Sequence, residues 1–140
     1  MVDLVAAQKI LETALAYAVE HKFKPMVFGV LDARGALKAF IAQDGTSLKR
    51  AEIALGKANG AMALGLGTRA LMKRAESQGY FITAATAAIG GSLVPVPGGV
   101  LIKSNGAIVG AVGISGDTSD NDEAAAVAGI VAAGFEADCG

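Results

Sequence analysis

Four carboxylates crowd into one short stretch of the chain, within the segment GISGDTSDNDEAAAVAGI (residues 113–130). Its acidic members are Asp117, Asp120, Asp122 and Glu123, although the whole chain has only 13 acidic residues. Such a group could hold a metal ion, exchange a proton with a substrate, or begin a helix. The spacing lacks the alternating oxygen ligands of a calcium loop, and without a nearby histidine it is a poor zinc site. We therefore expect no metal here.

The same stretch has the pattern of a helix N-terminus. Ser119 is a suitable N-cap, and Asp122 follows three residues later, as in a capping box. Acidic side chains in a first turn are favoured by the helix dipole, by roughly 0.3–1 kcal/mol each. Asp117 precedes this cap and is not explained by it. The glycines around Ser115 leave backbone N–H groups accessible beside the helix, a place that favours an anionic ligand.

A lysine among small residues is a second candidate for acid–base chemistry. Lys57 lies in AEIALGKANGA (residues 51–61), where its neighbours are alanine, glycine and asparagine. If its side chain points into a cleft, burial lowers its pKa and suits it to anchor a carboxylate or move a proton. If it points outward, it is an ordinary solvated helix lysine. The sequence leaves both interpretations open.

Two further side chains could serve a cofactor or redox chemistry. His21 is the only histidine, and hence the only ordinary imidazole that could ligate haem iron. It also falls near the end of a predicted helix, where a cation complements the helix dipole without any ligand. Cys139 is the only cysteine, so no internal disulfide can form, and a frayed, inert thiol is expected next to the last residue.

Composition and charge restrict the class of protein. The chain has 140 residues, is 53% hydrophobic and 18% charged, and carries a net charge of −1. These values predict one folded domain over residues 1–140. No Lys or Arg follows Lys103, which argues against a nucleic-acid or anionic membrane partner. No signal peptide or membrane span is recognised, so a cytoplasmic location is expected.

Hydrophobic spacing predicts the elements that position these residues. Pro95 and Pro97 cannot donate to a sheet ladder, so their segment is not an ordinary central strand. Gly56 and Gly60 fall inside a helix and need a packing reason, such as close approach by another element. The order indicates an α+β fold with one antiparallel sheet. The predicted elements are a helix capped by Asp3, strands Met26–Leu31 and Ala36–Ala42, a helix opened by Gly45–Ser47, a short helix from Thr68 to Gly79, a weak strand Tyr80–Ala84, a hairpin Val100–Ser115 turning at Asn105-Gly106, and a helix from Ser119 to Phe135.

Three segments together resemble a known family. Residues 97–130 combine a Pro-Gly-Gly strand, a hairpin, a glycine turn and a helix that opens with Ser and an Asp-Glu pair. VLDARGALKAFIAQDG (residues 30–45) is similar to a V-V-D-x-x-G-x-L hairpin, and residues 51–61 are similar to an A-x-x-K-A-x-x-A helix. These are the motifs of the GlcG/HbpS-like family, also called the haem-degrading domain family. The resemblance covers nearly the whole chain in the right order.

The resemblance implies a profilin-like α/β/α sandwich, with a single antiparallel sheet of about five strands, usually assembled into homo-oligomers. Family members include haem-binding proteins and proteins from operons for glycolate and other small acids. Lys57 matches the family's helix lysine, and Asp122 and Glu123 match its acidic pair. The residues that match the start of the strand and the glycine turn, as candidates for substrate binding, are Pro97, Gly98, Gly99, Gly113, Ser115, Gly116 and Asp117.

Three functions remain as hypotheses. The first is a small-molecule-binding protein, with haem as candidate cofactor and His21 as its candidate ligand. The second is an enzyme of small organic acid or aromatic catabolite metabolism, in which Lys57 exchanges protons with Asp122 or Glu123. The third is a non-catalytic structural or regulatory oligomer. Any site for an anionic ligand is expected between the Lys57 helix and residues 113–117, with residues 97–99 as a third wall.

Overall fold

The computed structural model describes all 140 residues and contains five helices and five strands. None of the helices is both long and apolar enough to cross a bilayer. The α+β architecture agrees with the sequence prediction. The helices are α1 (Leu4–Glu20), α2 (Arg50–Leu64), α3 (Thr68–Ser77), α4 (Gly79–Ala88) and α5 (Ser119–Ala132). The strands are β1 (Val27–Leu31), β2 (Leu37–Ala42), β3 (Gly99–Ser104), β4 (Ala107–Ser115) and β5 (Glu136–Asp138).

The five strands form one antiparallel sheet in the order β2-β1-β4-β3-β5. Asn105 and Gly106 join β3 to β4 with φ angles of 51° and 79°. Two positive φ angles in a two-residue hairpin turn match the right-handed twist of the strands, which is why Asn-Gly predicts such a turn. The hairpin expected from this dipeptide is confirmed.

Helices cover both faces of the sheet. One face buries Phe28, Val30 and Ile114 in the main core, against α1 and α5. The opposite face presents Leu31 and Ala111 to the small side chains of α2. Alternate residues of each strand point to opposite faces, so the sheet supplies both cores. The result is a three-layer α/β/α sandwich, as the family resemblance implied.

The glycines of α2 allow a loop to lie directly on the helix. A Cβ added at Gly56 would lie 2.7 Å from Val94 Cγ2, and one at Gly60 would lie 2.9 Å from Leu93 Cγ. The Val94 N–H also donates to the Gly56 carbonyl at 3.1 Å. The predicted packing reason for these glycines is therefore confirmed. The proline-containing segment crosses α2 before it enters the sheet at Gly99.

Two elements and two helix boundaries differ from the sequence prediction. Tyr80–Ala84 is not a strand but lies in α4, because the following Ala-Thr-Ala-Ala is rich in alanine, which favours a helix, and short apolar runs cannot distinguish the two states. The second helix begins at Arg50 and not at Gly45–Ser47. The last helix ends at Ala132, and the chain returns as β5 beside β3, a strand too short to give a periodic signal.

Candidate functional site

A buried ion pair joins the two helical layers at one end of the sheet. The Lys57 Nζ on α2 lies 2.8 Å from the Asp122 Oδ2 on α5, and each side chain is only 2% exposed. The same ammonium donates to the Ile114 carbonyl near the end of β4, at 2.9 Å. The lysine stem therefore passes the end of the sheet to reach the opposite layer.

Glycines create the passage that this lysine fills. Gly98 has a φ of +122°, and a Cβ there would lie 2.8 Å from the Lys57 Nζ. A Cβ at Gly99 would lie 2.5 Å from the Lys57 carbonyl oxygen, and one at Gly113 would lie 2.0 Å from the Ala54 carbonyl oxygen. Pro97, Gly98 and Gly99 are buried. The structure thus brings together the three walls predicted for a ligand site, and the protein's own atoms fill the space between them.

Burial shifts the pKa of each side chain of the pair in the direction that favours its neutral form. Desolvation lowers the pKa of Lys57, while the Asp122 carboxylate opposes that shift and the nearby Arg50 charge adds to it. Desolvation likewise raises the pKa of Asp122, against the opposing effects of Lys57 and of the backbone N–H groups of Asp117 and Gly116. Perturbed pairs of this kind occur at catalytic sites and also as internal ion pairs.

The turn before α5 is held by side-chain bonds. Ser115 Oγ accepts a hydrogen bond from Arg50 Nη1 at 3.2 Å. Asp117 accepts from the Lys24 N–H at 2.6 Å and from the Asn121 side chain at 2.7 Å. A Cβ at Gly116 would lie 2.2 Å from the Pro25 carbonyl oxygen. Asp117, which no helix cap explained, therefore fastens the α1–β1 connection to this turn.

The cap of α5 is one residue earlier than predicted. Thr118, not Ser119, is the N-cap, and its hydroxyl accepts from the Asn121 N–H at 3.2 Å. Asp122 does reach back to a backbone N–H, that of Asp117, at 3.0 Å. The prediction from Ser119 was wrong because threonine and serine are both good caps, and spacing alone does not choose between adjacent ones.

Glu123 belongs to a second, more exposed ion pair. The Arg69 guanidinium of α3 bonds it in a two-pronged geometry, with Nε–Oε2 and Nη2–Oε1 distances of 3.0 Å, and also bonds Asp120. The Arg69 N–H donates to the Cys139 carbonyl at 3.1 Å. Burial raises the pKa of Cys139 to about 11, and the Glu123 charge adds to the shift. The C-terminal thiol is therefore packed rather than frayed, contrary to the expectation from sequence.

His21 lies at the end of α1, exposed, with its ring stacked on Tyr17. The two ring centroids are 3.9 Å apart with an interplanar angle of 22°. The Nδ1 atom lies 2.8 Å from the Tyr17 carbonyl oxygen. Because a carbonyl oxygen only accepts, Nδ1 carries the proton of this hydrogen bond. In the neutral ring, Nε2 then has a free lone pair.

An apolar groove lies beside this pair, between α1 and the outer face of α5. Its volume is about 530 Å³, and all six lining residues are apolar. Tyr17 forms one side, so the same ring lines the groove and stacks on His21. The α5 residues share one helical face through their spacing of three and four. They are Ala124, Val127, Ala128, Val131 and Ala132.

Sequence reasoning missed several residues of this region. Tyr17 was not recognised, since an aromatic residue in a largely apolar helix is typical of the hydrophobic core. Thr68 Oγ1 accepts from the Gly99 N–H at 2.8 Å and so holds the start of β3 against α3. Arg69 pairs with a glutamate 54 residues away, and no local spacing predicts such a partner. No group of three or more His, Cys, Asp or Glu side chains is arranged to hold a metal ion.

The fold and these motifs define a small α/β/α sandwich with helices on both faces of one antiparallel sheet. The chain belongs to the HbpS-like haem degrading protein family, whose model matches residues 2–131. The family predicted from the sequence is thereby confirmed.

Individual relatives span most of the chain. An uncharacterized 15.0 kDa protein from the dhaT–dhaS intergenic region of Citrobacter freundii is 31% identical over 125 residues, which cover 86% of this chain and 84% of that protein. ORFY of Klebsiella pneumoniae has a TM-score of 0.82 at 25% identity, over 93% and 88% of the two chains. A double mutant of HbpS from Streptomyces reticuli gives 0.77 at 26%, over 91% and 84%. A PduOC–haem complex shares the fold at 24% identity, with a TM-score of 0.83 over 93% of each chain.

Proposed function

We propose that this protein binds haem in the apolar groove beside Tyr17, with His21 as a ligand of the iron. The observation that carries the proposal is the hydrogen bond from His21 Nδ1 to the Tyr17 carbonyl oxygen. Histidines that ligate metals commonly donate their other ring N–H to such an acceptor, which fixes the ring and directs Nε2 at the metal. The haem complex of the similarly folded PduOC supports the choice of ligand.

The groove suits the ligand in size and chemistry. Its volume of about 530 Å³ lies within the range of small-molecule sites, roughly 300–1,000 Å³. Tyr17 and the α5 face would cover the macrocycle with apolar surface, while His21 would hold the iron. Bound haem would supply redox or gas-ligand chemistry at its iron. Lys57 would take no part, because its ammonium is buried and already bonded to Asp122 and Ile114.

Titration of the purified protein with haemin tests the proposal. The wild type should give a Soret band shifted from that of free haemin, with saturation near one haem per chain. His21→Ala should weaken binding at least tenfold and lose the shift, and added imidazole should restore it. Glu20→Gln, the matched change one residue earlier, should bind as the wild type does. An unshifted wild-type spectrum, or an unchanged His21→Ala spectrum, would contradict the proposal.

A second candidate function is acid–base chemistry on a small organic acid by Lys57 and Asp122. The observation that favours it is the pair of opposed pKa shifts in one buried contact. A substrate would have to separate two side chains that are each 2% exposed. Turnover of hydroxy or keto acids by the wild type, lost in a folded Lys57→Met variant, would support this function. Equal turnover in both proteins would exclude it.

We further propose that the protein is a homo-oligomer, with a cytoplasmic location as expected from the sequence. The chain is 53% hydrophobic, above the usual apolar share of folded domains, and several of its large apolar side chains are exposed. Light scattering at micromolar concentration should give a mass above 13.9 kDa, the mass of one chain. A monomer would contradict this proposal. The most exposed of these side chains are Met1, Leu48, Val5, Tyr80, Val19 and Val131.

A further inference from the structure

Helix α4 is apolar on nearly all sides and is covered on only one. Its ten residues, GYFITAATAA, include no charged side chain, and only Ile82 is buried. The helix makes its main contacts with α3, where Ile82 joins Leu71 and Leu93 in a small cluster. A helix without a polar face is normally buried on more than one side. The outer surface of α4 therefore lacks a partner within the chain.

The surroundings of α4 extend this uncharged surface. Residues 77–102 contain no Asp, Glu, Lys or Arg, although these types make up 18% of the chain. Tyr80 is 74% exposed, and Phe81 is 36% exposed beneath the Arg74 guanidinium, 4.0 Å from the ring centroid. Interface cores are depleted of charge and enriched in aromatic residues. The composition of this surface is that of a protein–protein contact.

The side chains opposite Ile82 run from large to small along α4. Tyr80 lies near the N-terminal end, and Ala84 and Ala87 follow on the same face at spacings of four and three. Tyr80 and Ala87 are seven residues apart, about 10.5 Å along the axis. We propose that α4 pairs with α4 of a second copy in antiparallel orientation, with the two-fold axis at Ala84. Each Tyr80 then lies on the small Ala87 of its partner.

A second copy fits this surface better than other partners. An uncharged face offers no charge for an oppositely charged protein, and it lacks the basic residues by which helices bind anionic lipid surfaces. Antiparallel helices also place their dipoles favourably. The two Tyr80 side chains would bury roughly 150–250 Å² each, a substantial part of the roughly 1,000 Å² in total that a specific interface needs. The inference rests on the proposed homo-oligomer and is independent of haem binding.

Disulfide cross-linking tests the geometry directly. In a Cys139→Ser background, Ala84→Cys should form an intermolecular disulfide under mild oxidation. Helix axes about 8–10 Å apart, less two radii of about 2.3 Å, leave facing Cα atoms roughly 3.4–5.4 Å apart, and the upper part of this range lies within disulfide range. Ala63→Cys in the same background is the matched control, since Ala63 is exposed on α2. It should give no comparable cross-link.

Light scattering of charge variants gives a second measurement. Tyr80→Glu should weaken association at least tenfold, because two carboxylates would enter an apolar contact. Ala63→Glu, at the exposed α2 position that serves as the cross-linking control, should leave the mass unchanged. An oligomeric Tyr80→Glu protein without Ala84→Cys cross-linking would overturn the α4 pairing and leave the homo-oligomer standing. A monomeric wild type would overturn both, whether or not it sedimented with anionic lipid vesicles.

Discussion

Helix α5 has two surfaces that differ in how much space surrounds them. At its N-terminal end, Asp122 is buried and ion-paired to Lys57, and glycines bring neighbouring backbones into contact around the pair. Along its outer face, alanines and valines leave an apolar groove of about 530 Å³. The ion-paired Lys57 and Asp122 thus lie where there is no space for a ligand. The available space lies beside the alanines and valines of α5 and beside His21.

The difference in surrounding space distinguishes residues that stabilise the fold from residues that can bind a ligand. A buried ion pair must recover the desolvation of both charges, so it often adds little net stability while its disruption is severe. Lys57 and Asp122 have this character, since every polar atom of the pair is satisfied within the chain. His21 has the opposite character, because one of its nitrogens is left for a ligand.

Of the variants that compare the two surfaces, Asp122→Ala should have the largest effect on stability. It should lower the free energy of unfolding by about 3–5 kcal/mol, because the buried Lys57 ammonium would lose its only charged partner. Urea denaturation followed by circular dichroism measures the loss.

The matched control is Asp120→Ala, which removes an exposed carboxylate from the same helix turn and should cost under about 1 kcal/mol. A Lys57→Met/Asp122→Leu double variant should recover most of the stability lost by Asp122→Ala. A small loss in the single variant would show that the pair does not hold the layers together.

Enlarging a side chain should destabilise the protein near the buried ion pair and leave its stability nearly unchanged in the groove. Gly113→Ala places a methyl group 2.0 Å from the Ala54 carbonyl oxygen and should cost roughly 1–3 kcal/mol or more. Ala128→Leu adds three carbons to the groove and should change stability by less than about 0.5 kcal/mol. The same variant should weaken haemin binding. Thermal melts of the two variants measure the difference. Equal destabilisation by both changes would show that the two surfaces do not differ in the space around them.

Much of the fold could be predicted from local sequence patterns. The Asp3 cap, the Asn105-Gly106 hairpin and the glycines of α2 each carry a local physical cause, and the structure contains all three features. Helix α4 and strand β5 could not be predicted, since one is a short apolar run and the other is set by pairing with β3.

The candidate site was predictable only in part, for the same reason. The sequence pointed to Lys57 and Asp122, but their contact spans 65 residues, and burial of both side chains depends on the glycines of two other segments. The groove depends on the packing of α1 against α5, which no spacing within either helix reveals. Its aliphatic residues look like ordinary core in the sequence.

A smaller difference in stability is expected between variants of two adjacent hydroxyl residues at the start of α5. Thr118→Ala should cost about 1 kcal/mol, because it removes the acceptor of the Asn121 N–H. Ser119→Ala, one residue on, should cost no more than a few tenths, since alanine is a good helix former. Urea denaturation of the two variants compares them directly. A larger loss from Ser119→Ala would restore Ser119 as the cap.

The smallest expected effect is a pH dependence at Asp117, beside the buried pair. The backbone N–H of Lys24, then the Asn121 amide and the Thr118 N–H, hold the pKa of this carboxyl below its usual value. A depressed pKa in the folded state stabilises the protein above the unfolded pKa near 3.8, and the stabilisation is lost as pH falls through the folded value. Solvent keeps the effect below about 1 kcal/mol. The stability difference between wild type and Asp117→Asn should therefore shrink on acidification below about pH 4. Urea denaturation of both proteins across that range measures it, and a difference that grows in acid would mean that Asp117 does not fasten the turn as a carboxylate.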